Sequence, residues 1–204
     1  MRDDIDTLAR LFSEFPGTGE RQSRRFVYAL LNKPQDYLDS LSESIKRLKQ
    51  KISQCNSCFR FFPRDGYDLC PECSSPHTDK STLLILEKNS DFETVRRSKL
   101  YKGRYFILGG LVPIIDKTTT QKIRVNELIT EVEKQAKNGL KEIIIALSLT
   151  PQGENTERHL KEMLEPLAST FSLTISSLGR GLSTGSELEY SDDETLKYAL
   201  TNRK

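Results

Sequence analysis

Every cysteine of the chain falls within one nineteen-residue stretch, as Cys55, Cys58, Cys70 and Cys73. Two Cys-x2-Cys pairs separated by eleven residues suit four thiolates around one tetrahedral Zn²⁺ at about 2.3 Å. The x2 spacing lets both sulfurs of a pair point the same way. Four protein ligands would close the coordination sphere and leave no position for water, so the expected ion is structural. His77 lies too far past Cys73 to compete as a ligand. The segment is too short and polar to bury a core of its own, so it must lean on its metal and its neighbours. A disulfide framework is not expected. The opening residues Met1-Arg-Asp-Asp-Ile-Asp6 are polar and lack the apolar core of a signal peptide, which points to a reducing, cytoplasmic address.

The chain's 204 residues, 36% hydrophobic and 29% charged, suit one medium domain or two to three small ones. No run approaches the roughly 18 apolar residues needed to cross a bilayer. Net charge is only +2, but its distribution is uneven. Residues 21–51 carry eight Lys/Arg against three Asp/Glu, and residues 80–104 seven against three. Residues 153–194 carry three against nine. A basic first half is what a chain that meets a polyanion on one face requires.

Ile5, Leu8, Leu11, Phe12 and Phe15 recur at helical spacing and stop at Pro16-Gly17-Thr18-Gly19. A second helix carries Phe26, Ala29 and Leu30, and a third runs from about Tyr37 to Ser53. Beyond the cysteines the texture changes. Thr82–Leu86 and Glu142–Leu147 are apolar runs of strand length, and Arg104–Leu108 and Leu173–Ser177 read as strands too. Helical stretches at 125–137 and 155–167 separate them. Strands alternating with helices predict βαβ units and a mostly parallel sheet. The tail from Gly179 is Gly/Ser-rich, then acidic, and ends in a short helix over 193–200.

Gly17 and Gly19 sit between two helices, where exposed backbone N–H groups at a helix N-terminus favour a phosphate oxygen. Arg21, Arg24 and Arg25 follow, able to hold a backbone without reading its sequence. The competing reading is a plain helical hairpin with solvated arginines. Glu87 ends the first strand, at the edge where open α/β sheets place their sites. Yet Ser148-Leu-Thr-Pro-Gln-Gly153 offers no second carboxylate before Glu154, and one carboxylate does not make a Mg²⁺ site. His77 and His159 lack a nucleophile to serve. Gly179-Arg-Gly-Leu-Ser-Thr-Gly185 lacks the ending of a phosphate-binding loop.

Taken in order, these pieces resemble the RecR family of bacterial recombination mediators. The stretch from Phe15 to Phe26 resembles its helix-hairpin-helix, with basic positions at Arg21 and Arg25. The four cysteines fall where that family has a zinc module. Leu84-Ile-Leu-Glu87 and Tyr101–Gly110 match its Toprim-like domain, and Arg180–Tyr190 its Walker-B-like segment. The resemblance implies an α/β multidomain chain. Its parts would be a helix-hairpin-helix DNA-binding domain (1–53), a four-cysteine zinc finger (54–78), a Toprim domain (79–177) and a C-terminal Walker-B-like segment and helix (178–204). It implies a tetrameric, nucleoid-associated clamp around DNA. RecO and RecF would be its partners, and it would help load RecA onto gapped DNA. It also implies no catalysis, since Ser148 and Thr150 stand where a catalytic Toprim protein carries aspartates. The family's Asn-Pro-Thr-x-Glu-Gly-Glu reads Ser148-Leu-Thr-Pro-Gln-Gly-Glu154 here, leaving Glu154 as the partner-contact candidate. Two other function classes compete. One is a Toprim-type Mg²⁺-dependent nuclease or primase using Glu87; the other is a zinc-ribbon adaptor that binds only protein.

Overall fold

The computed structural model describes residues 3–114 and 123–179, together with Glu189, residues 195–197 and Ala199. The Walker-B-like segment at 180–190 and the helix expected over 193–200 therefore lie outside the described residues, apart from those few positions. The chain divides into two compact units, Met1–Ser53 and Gln54–Lys204.

In the first unit α1 (Asp4–Ser13) starts at Asp3, whose carboxylate accepts from the Ile5 amide. The chain turns through Gly17, held at φ 75°, a conformation that costs glycine nothing. It then enters α2 (Glu20–Leu31). The two helices pack as a hairpin about Ala9, Ser23 and Val27, with Phe12 and Phe26 edge to face at 5.8 Å. The Ser23 hydroxyl donates to the Gly19 carbonyl at 3.0 Å, which satisfies a fully buried polar group. Pro34 precedes α3 (Gln35–Lys51), a helix with no buried residue.

β1 (Ile52–Gln54) runs across the boundary between the units and pairs with β2 (Phe61–Pro63) as a two-stranded ribbon, which α4 (Pro71–Ser74) follows. A four-stranded sheet follows, built from β3 (Asp79–Leu86), β4 (Gly103–Ile107), β5 (Glu142–Ala146) and β6 (Thr174–Ser177). Its order is β4-β3-β5-β6, and all three pairings are parallel. The register sets Leu84 of β3 between Tyr105 and Ile144.

Between the strands run α5 (Asn89–Ser98), α6 (Val125–Ala136) and α7 (Pro151–Phe171). Successive side chains of a strand face opposite ways, and here both faces are covered. Leu83, Ile85, Phe106, Ile143 and Ile145 pack with Leu128 and Val132 of α6 and Leu160 and Leu164 of α7. Leu84, Leu86, Tyr105 and Ile107 pack with Phe92 of α5. That two-sided burial is why these strands read as continuous apolar runs.

Sequence spacing missed α5 and the small elements of the cysteine segment. It also ended the seventh helix too early. α7 begins at Pro151, a favoured first helical position, and passes through Pro166 to Phe171. Leu160, Leu164 and Ala168 line one buried face, and that burial carries the helix past the missing amide.

Candidate metal centre and nucleic-acid interface

The four cysteine sulfurs lie within 4.8 Å of one another. Cys55, Cys58 and Cys70 are buried, and Cys73 is partly so. The Cys58 and Cys70 sulfurs are 3.6 Å apart, close to the ~3.8 Å edge of a tetrahedron with 2.3 Å metal–sulfur bonds. The Cys70 amide points at the Cys55 sulfur from 3.4 Å, a contact that favours thiolate. Four thiolates this close would repel one another strongly unless a cation lay between them. Hydrogen bonds from Cys58 above all pull the Cys55 thiol far down, while Cys55 pushes Cys58 far up. A metal ion relieves that conflict, so the donor set fits one. Among the described residues this is the one group of three or more His, Cys, Asp or Glu placed to hold an ion.

The first knuckle is also the bolt between this centre and the sheet. Four consecutive residues each reach out. The Ser57 hydroxyl donates to the buried Glu131 carboxylate at 2.7 Å, which also accepts from Gln135. The Cys58 carbonyl accepts from the Ile107 amide at 2.9 Å. Phe59, held at φ 61°, lies edge to face on Phe106 at 5.3 Å with the Arg124 guanidinium over its ring at 5.1 Å. Arg60 is 7% exposed, pairs with Glu72 of the second knuckle at 2.7 Å, and sits 4.6 Å over the Phe92 ring. Nothing in the spacing of residue types announces these contacts, since a buried arginine and a left-handed phenylalanine are both exceptions to residue preference.

At the hairpin loop, Gly19 precedes α2 in extended conformation. Arg21 is exposed and holds no ion pair among the described residues. Arg25 is exposed and, among the described residues, reaches the Gln22 side chain at 3.5 Å. These two stand four residues apart on one helix face. Arg24 behaves differently. It bridges α2 to Asp6 of α1 at 2.8 Å, with Glu20 at 3.9 Å.

The sheet's strand order reverses between β3 and β5, which puts the switch point at their C-terminal ends. Glu87 leaves β3 there, 18% exposed, with the Lys88 ammonium at 3.8 Å. β5 leads instead into Ser148 and Thr150, whose hydroxyls are 3.3 Å apart. Thr150 caps α7 by accepting from the Gly153 amide at 3.1 Å. A side chain at Gly153 would run into the Ser148 carbonyl oxygen, so glycine is required by close approach. Glu154 is half-buried on the first turn of α7, its amide bound to the Thr150 carbonyl. The same turn holds the loop after β4. Gln152 donates to the Leu111 carbonyl at 3.3 Å, and the Thr156 hydroxyl accepts from the Val112 amide at 2.8 Å.

A parallel α/β sheet with a four-cysteine knuckle, able to hold a metal ion, docked on its edge strand is the architecture of a Toprim-type protein with a zinc-finger-like appendage. The Toprim domain family model matches residues 81–175, and the model described as "RecR, C-terminal" matches residues 181–204. The chain is 33% identical over 201 residues to "Recombination protein RecR" of Dehalococcoides mccartyi, covering 98% of this chain and 91% of that protein. Proteins of the same name from Synechococcus sp. and Chlorobium limicola are 34% and 31% identical, covering 97% and 98% of this chain and 96% and 95% of theirs. The chain belongs to the RecR family. None of the described helices is long and apolar enough to cross a membrane.

Proposed function

We propose that the chain is a recombination mediator that works by holding DNA and partner proteins, without catalysis. Membership of the RecR family across nearly the whole chain is the observation that carries this reading. In it Arg21 and Arg25 grip phosphates beside the Gly17–Gly19 loop, and Arg24 stiffens the hairpin through Asp6 while adding positive charge. The ion held by the four cysteines is Zn²⁺, in keeping with an all-thiolate tetrahedral donor set. The chain assembles as a tetramer in the cytoplasm, at the nucleoid. Ile45 and Leu48 of α3, 63% and 61% exposed, form an apolar pair that a second copy would cover. The surface around Glu154 serves partner contact with RecO-like and RecF-like proteins, and the assembly promotes RecA loading at gaps. A lone Glu87 paired with Lys88 favours this over Mg²⁺-dependent chemistry.

The test is light-scattering mass with and without a DNA fragment, followed by salt titration of Arg21→Ala/Arg25→Ala. The expected results are a mass near four chains that rises with DNA, and a log–log salt slope flattened by about one per lost contact. A strict monomer indifferent to DNA would overturn the reading. Mg²⁺-dependent cleavage abolished by Glu87→Gln would replace it with the enzymatic alternative.

A further inference from the structure

We infer that the cleft between the second cysteine knuckle and the turn from α5 into β4 is a second docking point for a nucleic-acid backbone. The inference rests on the proposed DNA-binding role and adds a site on residues that role does not use. The cleft has a volume of about 270 Å³ and is walled by His77 and Thr78 on the knuckle side and by Arg96, Tyr101 and Lys102 on the other. Two permanent cations, Arg96 and Lys102, therefore line it together with His77. Its one carboxylate, Glu72, is already held by Arg60 at 2.7 Å. Arg96 is braced by Glu93 at 2.8 Å across the helix surface, which fixes its guanidinium without enclosing it.

What lies beyond the cleft points to a polymer rather than a small anion. Lys99 ends α5 in a left-handed conformation, φ 58°, and is exposed. Neither it nor Lys102 has an ion pair among the described residues. Leu100, between Lys99 and Tyr101, is 88% exposed. A free phosphate would need only the cleft and would leave that leucine and the outer lysine without purpose. An apolar tip flanked by cations is the arrangement by which proteins press against bases while holding phosphates. The floor is rigid. Phe92 meets Tyr105 edge to face at 4.8 Å and Tyr105 meets Tyr101 at 5.0 Å, and a side chain at Gly103 would collide with Tyr101. The basic excess of residues 80–104 thus has a concrete address.

The experiment uses the full-length, metal-loaded protein and one fluorescent oligonucleotide, single-stranded and as a duplex, titrated between about 50 and 200 mM salt. Lys99→Ala/Lys102→Ala should flatten the salt slope by about two and weaken binding about tenfold at the low-salt end, with metal content unchanged. Leu100→Ala should weaken binding with the slope preserved. The control Lys134→Ala/Lys137→Ala removes the same charge from the C-terminal end of α6 and its cap, where both lysines are paired with glutamates. If the cleft variant behaves like the wild type or like that control, the second docking point is wrong and the parent reading stands. If the wild type binds no DNA at any salt, both fall together.

Discussion

The Cys58 carbonyl accepts the Ile107 amide at 2.9 Å, so a residue of the four-cysteine cluster is also the hydrogen-bond partner of the sheet's edge strand. An edge strand otherwise offers unpaired backbone groups. Here the Ile107 amide is taken by the knuckle, and its carbonyl by Arg124 at 3.1 Å. The metal centre and the sheet are mechanically one.

Removing the metal should therefore be felt outside the cysteine loop. Chelation, or Cys58→Ser, should accelerate hydrogen exchange at the Ile107 amide while Ile143 in the central strand β5 stays protected. Melting should fall by on the order of 10 °C, as a loss of a few kcal/mol implies for a unit of this size. Unchanged exchange at Ile107 in the chelated protein would contradict the coupling.

Arg60 and Glu72 tie one knuckle to the other. Arg60→Ala should cost about 3 kcal/mol in a denaturant melt, the lower end for breaking a buried pair because Glu72 is 29% exposed. The double change Arg60→Met/Glu72→Leu should recover most of it, since Met can still cover Phe92. Equal loss in the single and double variants would mean the charge pair is irrelevant.

Gly153→Ala should destabilise by about 1–3 kcal/mol, because the new methyl group meets a backbone carbonyl that has little room to retreat. Gly19→Ala, where nothing lies within 4 Å of the added carbon, should stay within about 0.5 kcal/mol in the same thermal melt.

Asp79 accepts from the amide and hydroxyl of Ser81, at 2.8 and 2.7 Å, and these bonds hold its carboxyl below the usual range. A lowered folded-state value means the ionised form is the stabilising one. The contribution is present above the unfolded value of about 3.9 and fades as pH falls through the folded one. The melting difference between the wild type and Asp79→Ala should be visible at neutral pH and vanish in acid; a difference that persisted there would assign it to packing.

Much of the fold was legible because the determining signals are local. Alternating strands and helices, the Cys-x2-Cys spacing and the proline–glycine stop after α1 each act within a few residues. What stayed hidden depends on contacts far apart in sequence. Phe92 is the single buried residue of α5, so its helix carries little periodic stripe. The helix expected over 155–167 runs on to Phe171 because Leu160, Leu164 and Ala168 share one buried face, a contact with the sheet that local spacing does not show. Arg24 and Arg25 are adjacent and chemically alike, and only the position of Asp6 separates a strut from an exposed cation. Arg60 looks like one more surface charge until Phe92 and Glu72 close around it.

The docked knuckle also sets an order of events during synthesis. All four metal ligands emerge within nineteen residues, so the ion can be captured while the chain still lacks a sheet. Ile107, the strand residue that receives the knuckle, follows Cys58 by 49 positions, and β5, which pairs with β3, comes later still. Local closure precedes long-range pairing in such chains. With an ion bound, the cysteine loop would be a finished part before the edge it covers exists, and without one that edge would be left open.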